Sequence, residues 1–553
     1  MSKENGTGKI KKPSGRGSDF AFQAAVLAGA GILSRVIGLL YRSPLFQILG
    51  DEGNGYYGTA YNIYAMILMI ATYSIPTAVS KIISGKLALG EYKSAKRVFR
   101  CAFVYVVIAG GIAAIITYIG APWFVGEHPN AIISLRILAP TIFLSGFLAI
   151  FRGYLQAYNT MVPTSISQIL EQIANAVVSI MAAYFLSRPF APGTSEHAKY
   201  GAAGSAMGTG AGVLCGIIFI LLAYTSKRKE IDAAIAQDKT VDVESYGKLF
   251  KQIIIIMTPI IVAAFVYNIV ATVDMKVFYM ILGDKGVDKL TQVNLYGVYS
   301  GQFTVLMNVP VAIAASVGIA LIPNISGAYT KGDMKASNHF LNEALSITML
   351  VTIPCAVGMG VLAKPIMDLL FKGADPLAAK SLTVGCIAIV FYSLSTVTTS
   401  VLQGIGKVME PVKNATIALL LHLIFLAALL KYTKLDLYAL ILGTIFYSLL
   451  MCIFNAASVR RYQNAGTDFK RIYLAPTIAS LFMGVVAYGS YKLIYMILPS
   501  NTVSLFAAII LAIIFYAVAI IKAGGYSEAE LEALPKGASI VRLAKKLHLF
   551  KSL

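Results

Sequence analysis

Apolar runs of about twenty residues recur along almost the whole of this 553-residue chain. A helix rises about 1.5 Å per residue, so about twenty residues span the hydrocarbon core of a bilayer. The repetition predicts an all-α, polytopic integral membrane protein with fourteen spans. Their expected limits are 20–49, 56–84, 98–120, 131–157, 161–187, 201–224, 250–278, 293–323, 340–362, 379–403, 411–431, 435–458, 473–497 and 502–522. With 57% hydrophobic residues and 13% charged ones, the composition excludes the soluble globular classes.

The formal charge of +20 raises nucleic acid as a partner, and its distribution removes it. With the N-terminus inside, thirty of the 46 Lys and Arg fall in or at the edge of cytoplasmic segments. Ten fall outside, and six (Arg35, Arg42, Lys81, Arg100, Arg136, Lys492) lie within spans. A threefold bias of this kind sets topology and places both termini in the cytoplasm. The basic start before a long apolar stretch reads as a tail and an uncleaved first span, not a signal peptide. Cys101, Cys215, Cys355, Cys386 and Cys452 all fall in spans, with no close pair or metal-ligand spacing, and read as small apolar residues.

The chain repeats itself. Ile48-Leu49-Gly50-Asp51-Glu52-Gly53 after span 1 returns as Ile281-Leu282-Gly283-Asp284-Lys285-Gly286 after span 7. Ile83-Ser84-Gly85, with Gly90, Lys93 and Ala102 following, returns as Ile325-Ser326-Gly327, with Gly332, Lys335 and Ala344 at the same spacing. Six spans separate the copies, an even number, so both copies share one orientation. That predicts a parallel pseudo-repeat of two six-helix lobes. The expected organisation is a basic cytoplasmic tail (1–19), an N-lobe (20–224), a cytoplasmic linker (225–249), a C-lobe (250–459), two further spans (460–522) and a cytoplasmic amphipathic tail (523–553). In that last tail Ile540, Leu543, Leu547 and Phe550 share a side beside Arg542, Lys545 and Lys546. It suits the anionic inner leaflet or the transporter's own surface.

Charges inside spans are expensive, about 2.5–3.5 kcal/mol at the bilayer centre on insertion scales, and so point to function. Arg35 and Arg42 lie seven residues apart, two helical turns, and leave one face of span 1. Such a face belongs against a wet cavity that receives an anion; guanidinium forks match phosphate oxygens. The plainer reading of Arg42 is snorkelling to the interface. Lys81 after the Pro76 break either joins these arginines or sets topology. Arg152 fits the inner mouth of a cavity, and Arg136 fits snorkelling. In span 5, Gln168, Glu171, Gln172 and Asn175 follow the i, i+3, i+4, i+7 spacing of one helix face. They read as interhelical glue or as a cavity wall whose Glu171 neutralises an arginine or carries a proton. In span 7, Asn268 shares a face with Thr272, and Asp274 falls near the outer end, where an interfacial residue is the plainer reading. The histidines are dispersed, and His422 alone lies deep in a span. No nucleotide-binding lysine motif, catalytic triad or metal-ligand set is present, so no enzyme and no cofactor is expected.

These motifs, in this order, resemble the polysaccharide-export group of the multidrug/oligosaccharidyl-lipid/polysaccharide superfamily. The branch is that of stage V sporulation protein B-like proteins, related to the MurJ lipid II flippases. The carriers are Ser34-Arg35-Val36-Ile37-Gly38, Gly55-Tyr56-Tyr57, Ile75-Pro76 before Lys81, Asn308-Val309-Pro310 and Leu321-Ile322-Pro323. The resemblance covers nearly the whole chain. Two departures stand out. Tyr41 holds the place of the family's second arginine, with Arg42 next to it. Gln302 to Pro310 lacks the basic residue found in span 8 of the Gram-negative-type flippases. The family's cationic cavity is thus only partly reproduced.

The resemblance implies a flippase in a bacterial cytoplasmic membrane, working by alternating access on a polyprenyl-pyrophosphate-linked saccharide, with lipid II first. Arg35, Arg42, Lys81 and Arg152 are the expected substrate ligands. Gln168, Glu171, Gln172, Asn175, Asn268 and Asp274 are the expected cavity or coupling groups. Sodium, protons or membrane potential could supply the bias. Membrane lipids and cell-wall synthesis proteins are the expected neighbours, and a monomer the expected state. A cation exporter on the same fold should instead present carboxylates. A glycosyltransferase acting on the same lipids needs a large outside loop or an acid cluster, and neither is present.

Overall fold

The computed structural model describes residues 33–524, apart from 159, 239, 241, 242, 464 and 465, together with residues 26, 29–31 and 542. The regular elements among the described residues are helices. Thirteen are long and apolar enough to cross a membrane, and a shorter apolar helix, Gly29–Leu40, precedes them. In chain order these are α1 (Gly29–Leu40), α2 (Arg42–Ala88), α3 (Tyr92–Val125), α4 (Pro129–Ala157), α5 (Val162–Ser187), α6 (Ser195–Gln237) and α7 (Tyr246–Asp284). They continue with α8 (Lys289–Gly318), α9 (Met334–Val361), α10 (Ile387–Gly404), α11 (Met409–Tyr432), α12 (Leu437–Gln463), α13 (Lys470–Ile497) and α14 (Asn501–Lys522). Each expected span has its helix, although the start of the first, the basic tail and almost all of the C-terminal tail lie outside the described residues.

Two boundaries differ from expectation. No loop separates spans 1 and 2: the chain stays helical from Arg42 to Leu68 and bends at Gly50, whose φ is +60°. Only glycine enters that region without strain, so a single residue turns the helix where a six-residue loop was expected. The second difference is the linker. Helix α6 continues past Tyr224 to Gln237, and a short stretch around residues 238–245 joins it to α7. Asp238 there accepts the Lys93 backbone N–H at 2.7 Å, and Arg97 donates to the carbonyls of Val243 and Glu244. Lys86 pairs with Glu244 at 2.9 Å. The linker is therefore bound down onto the start of α3.

The second repeated motif folds alike in both copies. Gly90 and Gly332 hold φ of +77° and +75° in the turns before Tyr92 and Met334. The first does not. Gly50 bends a helix, whereas its counterpart Gly283 sits inside α7 and the turn comes at Gly286.

Two glycine-lined contacts hold the bundle. Gly204, Gly208 and Gly212, four residues apart on α6, face α5. A Cβ there would lie 2.3 Å from Ala183 N, 2.0 Å from Ser179 Oγ and 2.6 Å from Glu171 O respectively. Small residues at this spacing let helix backbones meet, and the contact fixes the rotation of α5. The second contact joins α2 to α8. A Cβ on Gly55 would lie 2.2 Å from Val293 O, and one on Gly297 1.9 Å from Asp51 O. Around it, Asn62 donates to the Tyr296 hydroxyl, Gln302 to Asp51, and Lys289 pairs with Glu127 at 2.7 Å. These bonds seal one end of the seam between the two halves of the chain. Outward-facing apolar residues such as Ile115, Ile119, Trp123, Val485 and Ile513 are exposed, as lipid contact requires.

Candidate functional site

Beyond that seal lies an open polar cavity of about 420 Å³. Its walls come mostly from the first half of the chain. Helix α1 contributes Ser34 and Arg35; α2 contributes Arg42, Tyr57, Tyr61 and Tyr64. Glu171, Gln172 and Asn175 enter from α5, Ser145 from α4 and Thr209 from α6. The second half supplies Val305, Asn308 and Val309.

The two arginines of the first span thus line one cavity. Arg42 is half-buried, with its guanidinium 5.5 Å from the Tyr57 ring centre and 5.9 Å from that of Tyr41. Aromatic faces attract a cation without neutralising it, so Arg42 keeps charge available to an anion. The tyrosines were missed by sequence reasoning. Their signal was present: Tyr57, Tyr61 and Tyr64 follow the spacing of one helix face.

Glu171 and Asn175 enter because the glycine contact with α6 sets the rotation of α5. Glu171 accepts from Arg152 Nη2 at 2.8 Å, and Arg152 Nε donates to Ser167 Oγ at 2.9 Å. Both side chains of this pair are only partly exposed. Arg152 therefore stands behind the cavity wall, and its charge is already matched by the carboxylate in that wall.

Other sequence candidates lie elsewhere. Lys81 is exposed and does not line the cavity, and neither does the half-buried Gln168. Asn268 donates to the Ala264 carbonyl of its own helix at 2.8 Å. Asp274 is not an interfacial residue. It is buried, 2.6 Å from Nε2 of His422 on α11, away from the cavity. Among the described residues no group of three His, Cys, Asp or Glu side chains is placed to hold a metal ion.

A helical bundle of this length around a cationic, tyrosine-lined cavity defines a multi-pass membrane protein with a transporter fold. The chain belongs to the polysaccharide biosynthesis protein family, whose profile matches residues 22–329. A second profile, MatE, matches residues 297–428. The relatives include the lipid II flippase MurJ of Bacillus subtilis, 25% identical over 86% of this chain and 88% of that one. Stage V sporulation protein B of the same organism is 21% identical, covering 84% and 89%. Among solved structures, a lipid II flippase MurJ in an inward closed conformation superposes with a TM-score of 0.63, at 19% identity, over 90% of this chain and 98% of that one. An inward-facing multidrug resistance MATE family transporter gives 0.60, at 16% identity, over 80% and 98%. The fold is that of the MOP superfamily, and the relatives and neighbours whose names state an activity are flippases and transporters rather than catalytic enzymes.

Proposed function

We propose that the protein is a flippase of this superfamily, acting on a polyprenyl-pyrophosphate-linked saccharide in a bacterial cytoplasmic membrane, with lipid II the first candidate. The observation that carries this reading is the shared cavity of Arg35 and Arg42. Two guanidinium groups on one wall suit a pyrophosphate, which offers oxygens to both. A cation exporter is disfavoured because Glu171, the carboxylate in the wall, is already engaged by Arg152.

The geometry supports one order of steps. The head group enters the cavity and its pyrophosphate meets Arg35 and Arg42, while the tail stays in lipid. The Tyr57 and Tyr61 rings line the approach beside Arg42. The α2–α8 contact opens and the opposite end closes, which exposes the head group on the other side. Binding drives this only in so far as the two states differ in affinity for the substrate. The loop charges support a topology with the sealed Asp51 end outside and both termini in the cytoplasm.

Depletion in the native host should cause a pyrophosphate-linked saccharide lipid to accumulate, and its head group names the substrate. Accumulation of none refutes the reading. Orientation is tested with an impermeant thiol reagent in a background without native cysteines. A cysteine at Gly193 should react from outside and one at Gln237 should not.

A further inference from the structure

The polar cavity holds more than its arginines. From Arg42 a row of aromatic rings runs along α2. The Tyr57 ring centre lies 5.5 Å from the Arg42 guanidinium, that of Tyr61 5.5 Å from Tyr57, and that of Tyr64 5.7 Å from Tyr61. The outer members of the row belong to the wall. Tyr57 and Tyr64 are each 3% exposed. The Tyr57 hydroxyl lies 3.3 Å from Thr209 Oγ1, and that of Tyr64 is turned to Ser145. Tyr61, between them, is 38% exposed, and its hydroxyl has no hydrogen-bond partner among the described residues. Packing therefore accounts for its neighbours and leaves the Tyr61 ring bare towards the cavity.

Two amides face the same space. Gln172 on α5 reaches over α1 at Gly38, between Arg35 and Arg42 in the chain; a Cβ on Gly38 would lie 4.0 Å from its Oε1. Asn308 stands across the cavity on α8. Neither side chain is hydrogen-bonded to another described residue, so both keep donors and an acceptor for a ligand.

The charged members of the lining are Arg35, Arg42 and Glu171. Glu171 is matched by Arg152, whose Nε is engaged by Ser167. A pyrophosphate diester carries one negative charge on each phosphate, as many as there are arginines in this lining. Beyond the pyrophosphate the lining offers a bare phenol ring and free amides, and no further cation. That is the chemistry of a neutral sugar: its C–H face packs on an aromatic ring, and its hydroxyl or acetamido groups bond to amides. A carboxylate on the same sugar would lose water beside Glu171 with no cation left to receive it.

We propose that Tyr61 is the platform for the first sugar after the pyrophosphate, and that the cavity selects an uncharged pyranose over a uronate at that position. The proposal rests on the pyrophosphate reading above and adds the group next to it. Arg35 and Arg42 anchor the phosphates, Tyr61 carries the sugar ring, and Gln172 and Asn308 hold its polar edge.

The test measures binding of three undecaprenyl pyrophosphate diesters to the purified full-length protein in lipid nanodiscs. Their second substituents are N-acetylglucosamine, glucuronate and ethyl; the ethyl diester keeps the charge of the pyrophosphate without a sugar. Wild type should bind the N-acetylglucosamine lipid at least about fivefold more tightly than the ethyl diester, and the glucuronate lipid no more tightly than the ethyl diester. Tyr61→Leu should bring the first ratio to within about twofold of one, whereas Tyr61→Phe, which keeps the ring, should retain most of it. Gln172→Ala, on another helix, should lower the ratio by a smaller factor. A wild-type ratio in Tyr61→Leu overturns the proposal, as does a glucuronate lipid bound as tightly as the N-acetylglucosamine lipid. If Tyr61→Leu does not fold, the discrimination between the two sugars by the wild type decides. A wild type that binds the ethyl diester no better than undecaprenol refutes the pyrophosphate reading and the platform with it. One that binds the ethyl diester and gains nothing from the sugar refutes the platform alone.

Discussion

Two cavities in this molecule differ in an instructive way. The polar one, about 420 Å³, gathers Arg35, Arg42, Glu171, Asn175 and four tyrosines. The other, about 700 Å³, lies between α9, α13 and α14 and is walled by residues such as Val351, Cys355, Met483 and Ile513. Its one hydroxyl, on Tyr516, donates to the Leu350 carbonyl. The larger cavity is apolar and open, so lipid chains can fill it at little cost. The smaller holds charge that lipid cannot solvate. Such charge is expensive to keep in a membrane, so chemistry, not volume, marks the smaller cavity as the candidate site.

The sharpest way to break this comparison is the double variant Arg35→Ala with Arg42→Ala. It should lose more affinity for a pyrophosphate-linked lipid than either single change, with coupling if both contact one pyrophosphate. Wild-type affinity in well-folded double variant, measured on purified protein, would remove the site. Each single change should cost on the order of 1.5–3 kcal/mol, roughly 10- to 150-fold, as one charge-assisted bond is lost. Arg35→Lys should recover only part, because an ammonium keeps the charge without the fork. If Arg42→Ala alone binds normally, Arg42 serves only its tyrosine contacts.

Glu171→Gln should act more weakly. It frees Arg152 from its carboxylate at nearly constant shape, so it should alter transport and its pH profile while leaving membrane insertion intact. An unchanged profile would leave Glu171 as a helix-packing residue.

A smaller effect is expected at the sealed end. His128 is buried against the Tyr279 ring, centroids 4.0 Å apart, with Lys289 close by. Burial first, then Lys289, lowers its pKa to about 4 from an ordinary 6.5. The unfolded chain therefore binds a proton that the folded chain refuses between those values. Stability should rise with pH across that window and fall as pH drops from about 6.5 towards 4. His128→Gln should flatten this part of the melting-temperature profile; a profile identical to wild type would assign the slope to other groups.

The smallest effect is expected in the apolar cavity. Ile513→Trp narrows it from the exposed side and should leave head-group affinity within about twofold, since no charge-assisted bond is touched. A loss as large as that of Arg35→Ala would make the two cavities one functional unit.

Much of this was legible in the chain. Span number followed from the length of apolar runs, because backbone groups in lipid must bond within their own helix. Arg35 and Arg42 announced a wet face because charge is costly there, and the spacing of residues 168–175 announced a polar stripe. What tertiary structure alone decided is which polar groups meet. Whether Asp274 ends a helix or pairs with His422, 148 residues away, depends on how α7 and α11 cross. Lys81 and Gln168 carry the right chemistry, but the rotations of α2 and α5 leave them off the cavity. The bend at Gly50 was equally invisible, since Gly50 and Gly283 share the same local sequence and adopt different backbones. Periodicity fixes which residues share a helix face; only the close approach of helices, here set by glycines 55, 204, 208, 212 and 297, fixes what that face meets.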